Sequence, residues 1–192
     1  MPSSYPQSES SRLAPPAPRP PLELIVGSSS VVFSWAGDRW THRILHRHTD
    51  RSTNRRTGIV RWKSLEGPRT PGDDPRWPAS PVLVELSRVA LPTSGSAGGY
   101  AVVGVGLAGR SHFSASITAD PELSDTIRFE IACRLSETPA WLGSIYHAGN
   151  QQHEITADAA ASAVPRTAIW SYSVGPQGIV AVSGATVATR PG

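Results

Sequence analysis

Alternation of apolar and polar side chains recurs along most of this chain from Leu22 onward, and it is the period of two that marks half-buried strands. The segment VVFSWAGDRWTHRIL predicts a hairpin about a Gly37-Asp38 turn, with Trp35 opposite Trp40, Phe33 opposite His42 and Val31 opposite Ile44. One face is then apolar and aromatic, while Ser34, Arg39, Thr41 and Arg43 fall on the other. Ile59 to Leu65 alternates in the same way, with Val60 and Trp62 against Arg61 and Lys63. GPRTPGDDPRWPASP follows as a long loop in which Pro and Gly forbid regular structure.

Strand signals resume in PVLVELSRV, YAVVGVGL, SHFSASIT and TIRFEIACRL, separated by TSGSAGG, AGR and ADPELSD. AIWSYSV and IVAVSGATVA flank Gly175 to Gly178, a loop of hairpin length. Helical signal is confined to two places. Thr138-Pro139 has the form of a cap for a short helix carrying Trp141, Leu142 and Ile145, and Ala157 to Ala163 is Ala-rich. Many short strands and so little helix predict a mainly β chain: an antiparallel β-barrel or β-sandwich of roughly 8–10 strands with one or two short helices. Residues 1 to 20, rich in Pro and Ser, are expected to be a disordered arm, and 21 to 192 a single β-rich domain. The PxxP spacing in Pro15 to Pro21 arises readily in any Pro-rich tail.

The stretch GVGLAGRSHFSAS holds a GxGxxG in Gly104, Gly106 and Gly109 and a Ser-His pair in Ser111-His112. A dinucleotide cradle needs a helix after its last glycine, because helix N-terminal amides hold the pyrophosphate. Here Ser111, Phe113, Ala115 and Ile117 alternate with His112, Ser114, Ser116 and Thr118, and Ile127, Phe129, Ile131, Cys133 and Leu135 alternate with Arg128, Glu130 and Arg134. Both segments are strands, so the glycines serve packing: an Ala108-Gly109 turn would set Gly104 opposite Phe113. Ser111 and His112 point to opposite faces and cannot act as nucleophile and base.

Three polar groupings remain. A hairpin closed by ADPELSD would pair Thr118 with Thr126, Ser116 with Arg128 and Ser114 with Glu130, leaving His112 diagonal to Glu130. The patch of His112, Ser114, Ser116, Arg128, Glu130 and Arg134 is a candidate ligand-binding surface, and a hydrolase-like use of His112 and Glu130 is one alternative. His42, His46 and His48 share a face of one strand, a weak metal candidate. Against it, His42 falls on the apolar side, no acid or Cys stands at a suitable spacing, and a loop is expected to break the geometry beyond His46.

Charge changes the picture at one place only. The net charge is +3, and Lys63 is the one lysine among 18 cationic residues. Arg39, Arg43, Arg47, Arg51, Arg55, Arg56, Arg61 and Lys63 crowd into 25 positions with a single acid, Asp50, and Arg51, Arg55 and Arg56 are expected in a loop. A basic β-ribbon of this kind suits a phosphate backbone, though Trp40 and Trp62, assigned to the core side, offer no base stacking. The lone Cys133 is expected to be a small buried hydrophobe in a reducing compartment. The N-terminus has no apolar signal core, and no apolar run approaches bilayer length. The expectation is a cytoplasmic, non-enzymatic binding or interaction module, without cofactor or membrane contact, for a macromolecule such as a protein or for a polar ligand. Nucleic-acid or anion binding through residues 39 to 63 is the alternative reading.

Overall fold

The computed structural model describes residues 19–50, 55–92, 99–158 and 163–191. The described residues form thirteen strands: β1 Leu22–Val26, β2 Ser29–Trp35, β3 Trp40–Asp50, β4 Arg55–Ser64, β5 Glu85–Ala90, β6 Tyr100–Ala108 and β7 Ser111–Ala119, followed by β8 Ile127–Leu135, β9 Gly143–Ala148, β10 Gln151–Ala157, β11 Arg166–Gly175, β12 Gly178–Ser183 and β13 Ala185–Pro191. They build two antiparallel sheets, ordered β1-β2-β3-β4-β9-β10-β13 and β12-β11-β8-β7-β6-β5, stacked as a sandwich with no closed barrel. There is no helix among the described residues, and so none that is long and apolar enough to cross a membrane.

The alternation places the core as the sequence predicts. Val31, Phe33, Trp40, Ile44 and Trp62 of the seven-stranded sheet are buried against Phe113, Ile117, Phe129, Ile131, Cys133 and Leu135 of the six-stranded one. The first hairpin keeps its predicted register, with Trp35 opposite Trp40, Phe33 opposite His42 and Val31 opposite Ile44. Cys133 is fully buried, and loss of solvation raises its thiol to about 12.

Elsewhere the structure corrects the expectations. The turn before β7 is Gly109-Arg110, with Gly109 at φ +56°, so Gly106 rather than Gly104 stands opposite Phe113. What lies over Gly106 is the backbone of Val82, whose carbonyl oxygen is 2.1 Å from where a Cβ would be. The β7–β8 hairpin is likewise displaced by two: Ala119 pairs with Ile127, Asp120 N–H donates to Thr126 O, and Thr118 pairs with Arg128 instead of Thr126. A shift of two keeps every side chain on its face, so the core is unchanged while the polar neighbours differ.

The helix expected after Thr138 is absent; residues 139–142 are loop and Leu142 and Ile145 are buried from β9 and its approach. Of the Ala-rich stretch, Ala157 ends β10 and 159–162 lie outside the described residues. IVAVSGATVA breaks at Gly184 into β12 of one sheet and β13 of the other. PVLVELSRV is strand only from Glu85 onward, although Val84 N–H already donates to Val105 O and Leu83 O accepts from Trp40 N. The expected arm lies outside the described residues up to position 18, but Arg19 is ordered: its Nη1 donates to Val84 O at 2.8 Å and its guanidinium lies 3.8 Å over the Trp35 ring.

The punctuated loop from Leu65 to Val84 passes from the outer side of the seven-stranded sheet, where Arg69 reaches Glu154, into the core, where Trp77, Val82 and Leu83 are buried and Val82 lies over Gly106 of the six-stranded sheet. Ser80 Oγ exchanges hydrogen bonds with the backbone of Ile145, Trp141 Nε1 donates to Ala79 O, and Arg69 stacks 4.0 Å over Trp141. That cover buries Ile145, an outward-pointing residue of β9.

Candidate anion-binding face

On the uncovered part of the same outer surface, cross-strand pairing collects cations. Arg43 of β3 stands directly opposite Lys63 of β4, Lys63 opposite His147 of β9, His147 opposite Gln152 of β10, and Gln152 opposite Arg190 of β13. Directly opposed side chains have Cβ atoms ~4.5–5.5 Å apart, so this row crosses five strands nearly perpendicular to them. Arg61 stands beside the row at a bulge, exposed, with its guanidinium 5.4 Å from the centre of the Trp62 ring. The β3–β4 register shifts between Ile44 and Leu45, Ile44 facing Trp62 and Leu45 facing Val60, which leaves Arg61 as the extra residue. Val60, expected on the core side with Trp62, is thereby turned outward and exposed.

Arg43, Arg61 and Lys63 are exposed and have no carboxylate within ion-pair distance among the described residues. The other cations of the segment are differently placed. Arg39 pairs with Asp38 at 2.7 Å, a hydrogen bond that lowers the Asp38 carboxyl and raises the guanidinium, and Arg47 pairs with Glu23 at 2.5 Å. Arg55 and Arg56 lie on β4, not in a loop; their side chains, with Arg51 and the side chain of His48, lie outside the described residues. At the far end of the row Arg190 shares the buried Glu154 with Arg69, at 3.3 and 3.7 Å.

Two like charges set directly opposite on a sheet cost stability, of the order of a few tenths of a kcal/mol, which an acid at either position would turn into a gain. Such a pair is tolerated where a bound anion offsets it. His147 and Arg190 were not legible as members of this group, since they join it only through the β4–β9 and β10–β13 pairings.

The histidine grouping does not converge. His42 is in the core, its Nε2 2.7 Å from the Tyr146 hydroxyl and its ring stacked on Phe129, and burial pushes its imidazole down to about 3. His46 stands 3.5 Å from Ser28 Oγ, in a concavity of about 460 Å³ where Asp125 Oδ1 accepts from Ser28 N at 2.6 Å. β3 runs unbroken to Asp50, so no loop intervenes before His48. Among the described residues no three His, Cys, Asp or Glu side chains are grouped to hold a metal ion.

The patch on the six-stranded sheet also divides. The actual register sets His112 opposite Arg134 and Ser116 opposite Glu130, with Ser114 opposite Ala132, so the expected His112–Glu130 diagonal is lost. Arg128 is turned to the buried Asp120 at 3.1 Å, leaving His112, Ser114, Glu130 and Arg134 exposed. His112 and Arg134 border an open concavity of about 530 Å³.

No protein family matches this chain, and no curated protein and no solved structure is similar to it.

Proposed function

We propose that the protein is a non-enzymatic binding module that holds a nucleic-acid phosphate backbone against the outer face of its seven-stranded sheet. The observation that carries this reading is the directly opposed Arg43 and Lys63, flanked by Arg61, with no acid in reach among the described residues. The aromatic side chains of that sheet, Phe33, Trp40, Trp62 and Tyr146, are buried on its inner side, so contacts are made to phosphates and not by stacking on bases. Binding is therefore indifferent to sequence and steeply sensitive to salt. The reading places the module in the cytoplasm, in keeping with a single buried thiol.

The test is fluorescence anisotropy with a labelled duplex over a range of salt concentrations. Each neutralised phosphate contributes about −0.9 to the slope of log K against log salt. The triple variant Arg43→Gln, Arg61→Gln, Lys63→Gln is expected to flatten the slope by about 3 units, taking one phosphate for each cation. An unaltered slope in the triple variant sinks the reading.

A further inference from the structure

We propose that the six-stranded sheet is also an interface, and that its outer face stacks on the same face of a second copy of this chain. The outer side of the six-stranded sheet carries Val105 at 49% exposure, Leu107 at 50%, Ile169 at 68% and Val180 at 53%. Val105 and Leu107 on β6 lie on one side of the central strands β7 and β8, and Ile169 on β11 lies on the other, large aliphatic side chains that flank a polar and charged centre.

Charge selects the occupant. One row across this face runs Val105, Ser114, Ala132, Ile169, each directly opposite the next. The row on one side of it holds Val103, Ser116, Glu130 and Ser171; the row on the other holds Leu107, His112, Arg134 and Thr167. A two-fold axis lying along the central row exchanges the flanking rows between copies. Arg134 then meets the partner's Glu130, Leu107 meets the partner's Val103, and Ile169 and Val105 each pack on themselves. Neither Glu130 nor Arg134 has an ion-pair partner within the chain among the described residues. Moving the axis by one row along β8 would set Glu130 on Glu130 or Arg134 on Arg134, so the Ala132 row alone gives attraction. Glu85 also falls on this row, opposite Val105, but on edge strand β5, where water screens it from its own image.

Six strands at ~4.8 Å spacing and seven residues at ~3.4 Å make a face of roughly 600 Å² per copy, somewhat under the ~800 Å² per partner of a standard interface. The interface is accordingly a small one, and association is looked for in the micromolar range. The dimer uses the face opposite to the anion-binding sheet, so it is tested without nucleic acid and stands or falls separately from that reading.

Sedimentation velocity of the full chain across the micromolar range is expected to show mass rising from 20.4 kDa towards twice that value. Ile169→Arg, which sets a charge against its own image, is expected to weaken association at least about tenfold, the loss of ~1.4 kcal/mol or more. Glu130→Arg and Arg134→Glu are each expected to weaken it, and the two together to restore it. Ile25→Arg, at an exposed position of the other sheet, should leave it intact. Circular dichroism and thermal melting establish that each variant is folded. A wild type that stays monomeric, an Ile169→Arg variant that associates as well as wild type, or a charge swap no tighter than its single variants would overturn the proposal.

Discussion

The hydroxyls of Tyr146 and Tyr172 lie 2.9 Å apart in the middle of the core, one from each sheet, and complete a chain that starts at His42 Nε2, 2.7 Å from Tyr146. Phe129 stacks on Tyr172 at 5.1 Å with the rings nearly parallel, so the polar chain is walled by aromatic surface. Burial raises both phenols, Tyr172 to about 12, so this is a neutral relay at ordinary pH.

Removing the middle of that relay leaves two buried polar groups without partners. Tyr146→Phe is expected to cost about 1–3 kcal/mol for the unsatisfied groups. Urea unfolding would read it as a lower midpoint with an unchanged slope. A variant as stable as wild type would mean that the relay adds nothing to cohesion between the sheets.

Two buried groups set opposing pH dependences. Loss of solvation raises Glu66 from 4.5 to about 7, only partly offset by the hydrogen bond from Ser64 and the charge of Arg39, and its Oε2 is buried without a partner. The folded chain holds that proton more tightly, so the contribution is full below pH 4.5 and is lost as pH rises to about 7. His42, lowered from 6.5 to about 3, contributes fully above pH 6.5 and loses its contribution as pH falls towards 3. Glu66→Gln is expected to be more stable than wild type at about pH 8 and to lose the decline between about pH 5 and 7. Unfolding curves across that range would check it; equal pH profiles for the two proteins would refute it.

Asp120 is the opposite case. Its desolvation, which by itself raises the carboxyl, is outweighed by hydrogen bonds from Ser173 Oγ, Glu122 N, Arg128 Nε and Leu123 N, which hold it down to about 2. The stability this supplies is present above pH 3.8 and is lost as pH falls towards 2. Asp120→Asn is expected to cost about 2–3 kcal/mol near neutrality, since its partners include a charged one. Comparison of acid unfolding midpoints would show the variant losing the acid-side slope.

Lys63→Glu separates stability from binding. Opposite Arg43 it converts a repulsive cross-strand pair into an attractive one, worth about 0.2–1 kcal/mol, while removing a phosphate contact. A higher melting temperature together with weaker duplex binding is expected. A variant that melts lower, or binds as before, contradicts the role given to this pair.

Gly106→Ala is expected to cost at least about 2–3 kcal/mol, because the new methyl would lie 2.1 Å from Val82 O, backbone that cannot swing aside. At Gly104 the nearest atom is the Leu86 Cδ2 methyl, which can rotate away, so Gly104→Ala is expected to be milder. Thermal melts of the two variants give the comparison, and a milder effect at Gly106 would contradict it.

Local periodicity determined which side each strand residue faces. Val31, Phe33 and Ile44 in one hairpin, and Phe113, Ile131 and Cys133 in another, are buried because successive side chains of a strand point to opposite faces, a property each segment carries by itself. The same periodicity excluded the helix that a GxGxxG needs. It could not choose between registers two apart, since both keep the apolar set inward; loop closure decided that Gly106 faces Phe113 and that His112 faces Arg134. Nor could it pair strands distant in the chain. Lys63 meets His147, Tyr146 meets Tyr172, and the segment after Gly184 changes sheets because the two layers must cover each other's apolar faces, a condition set by the folded whole.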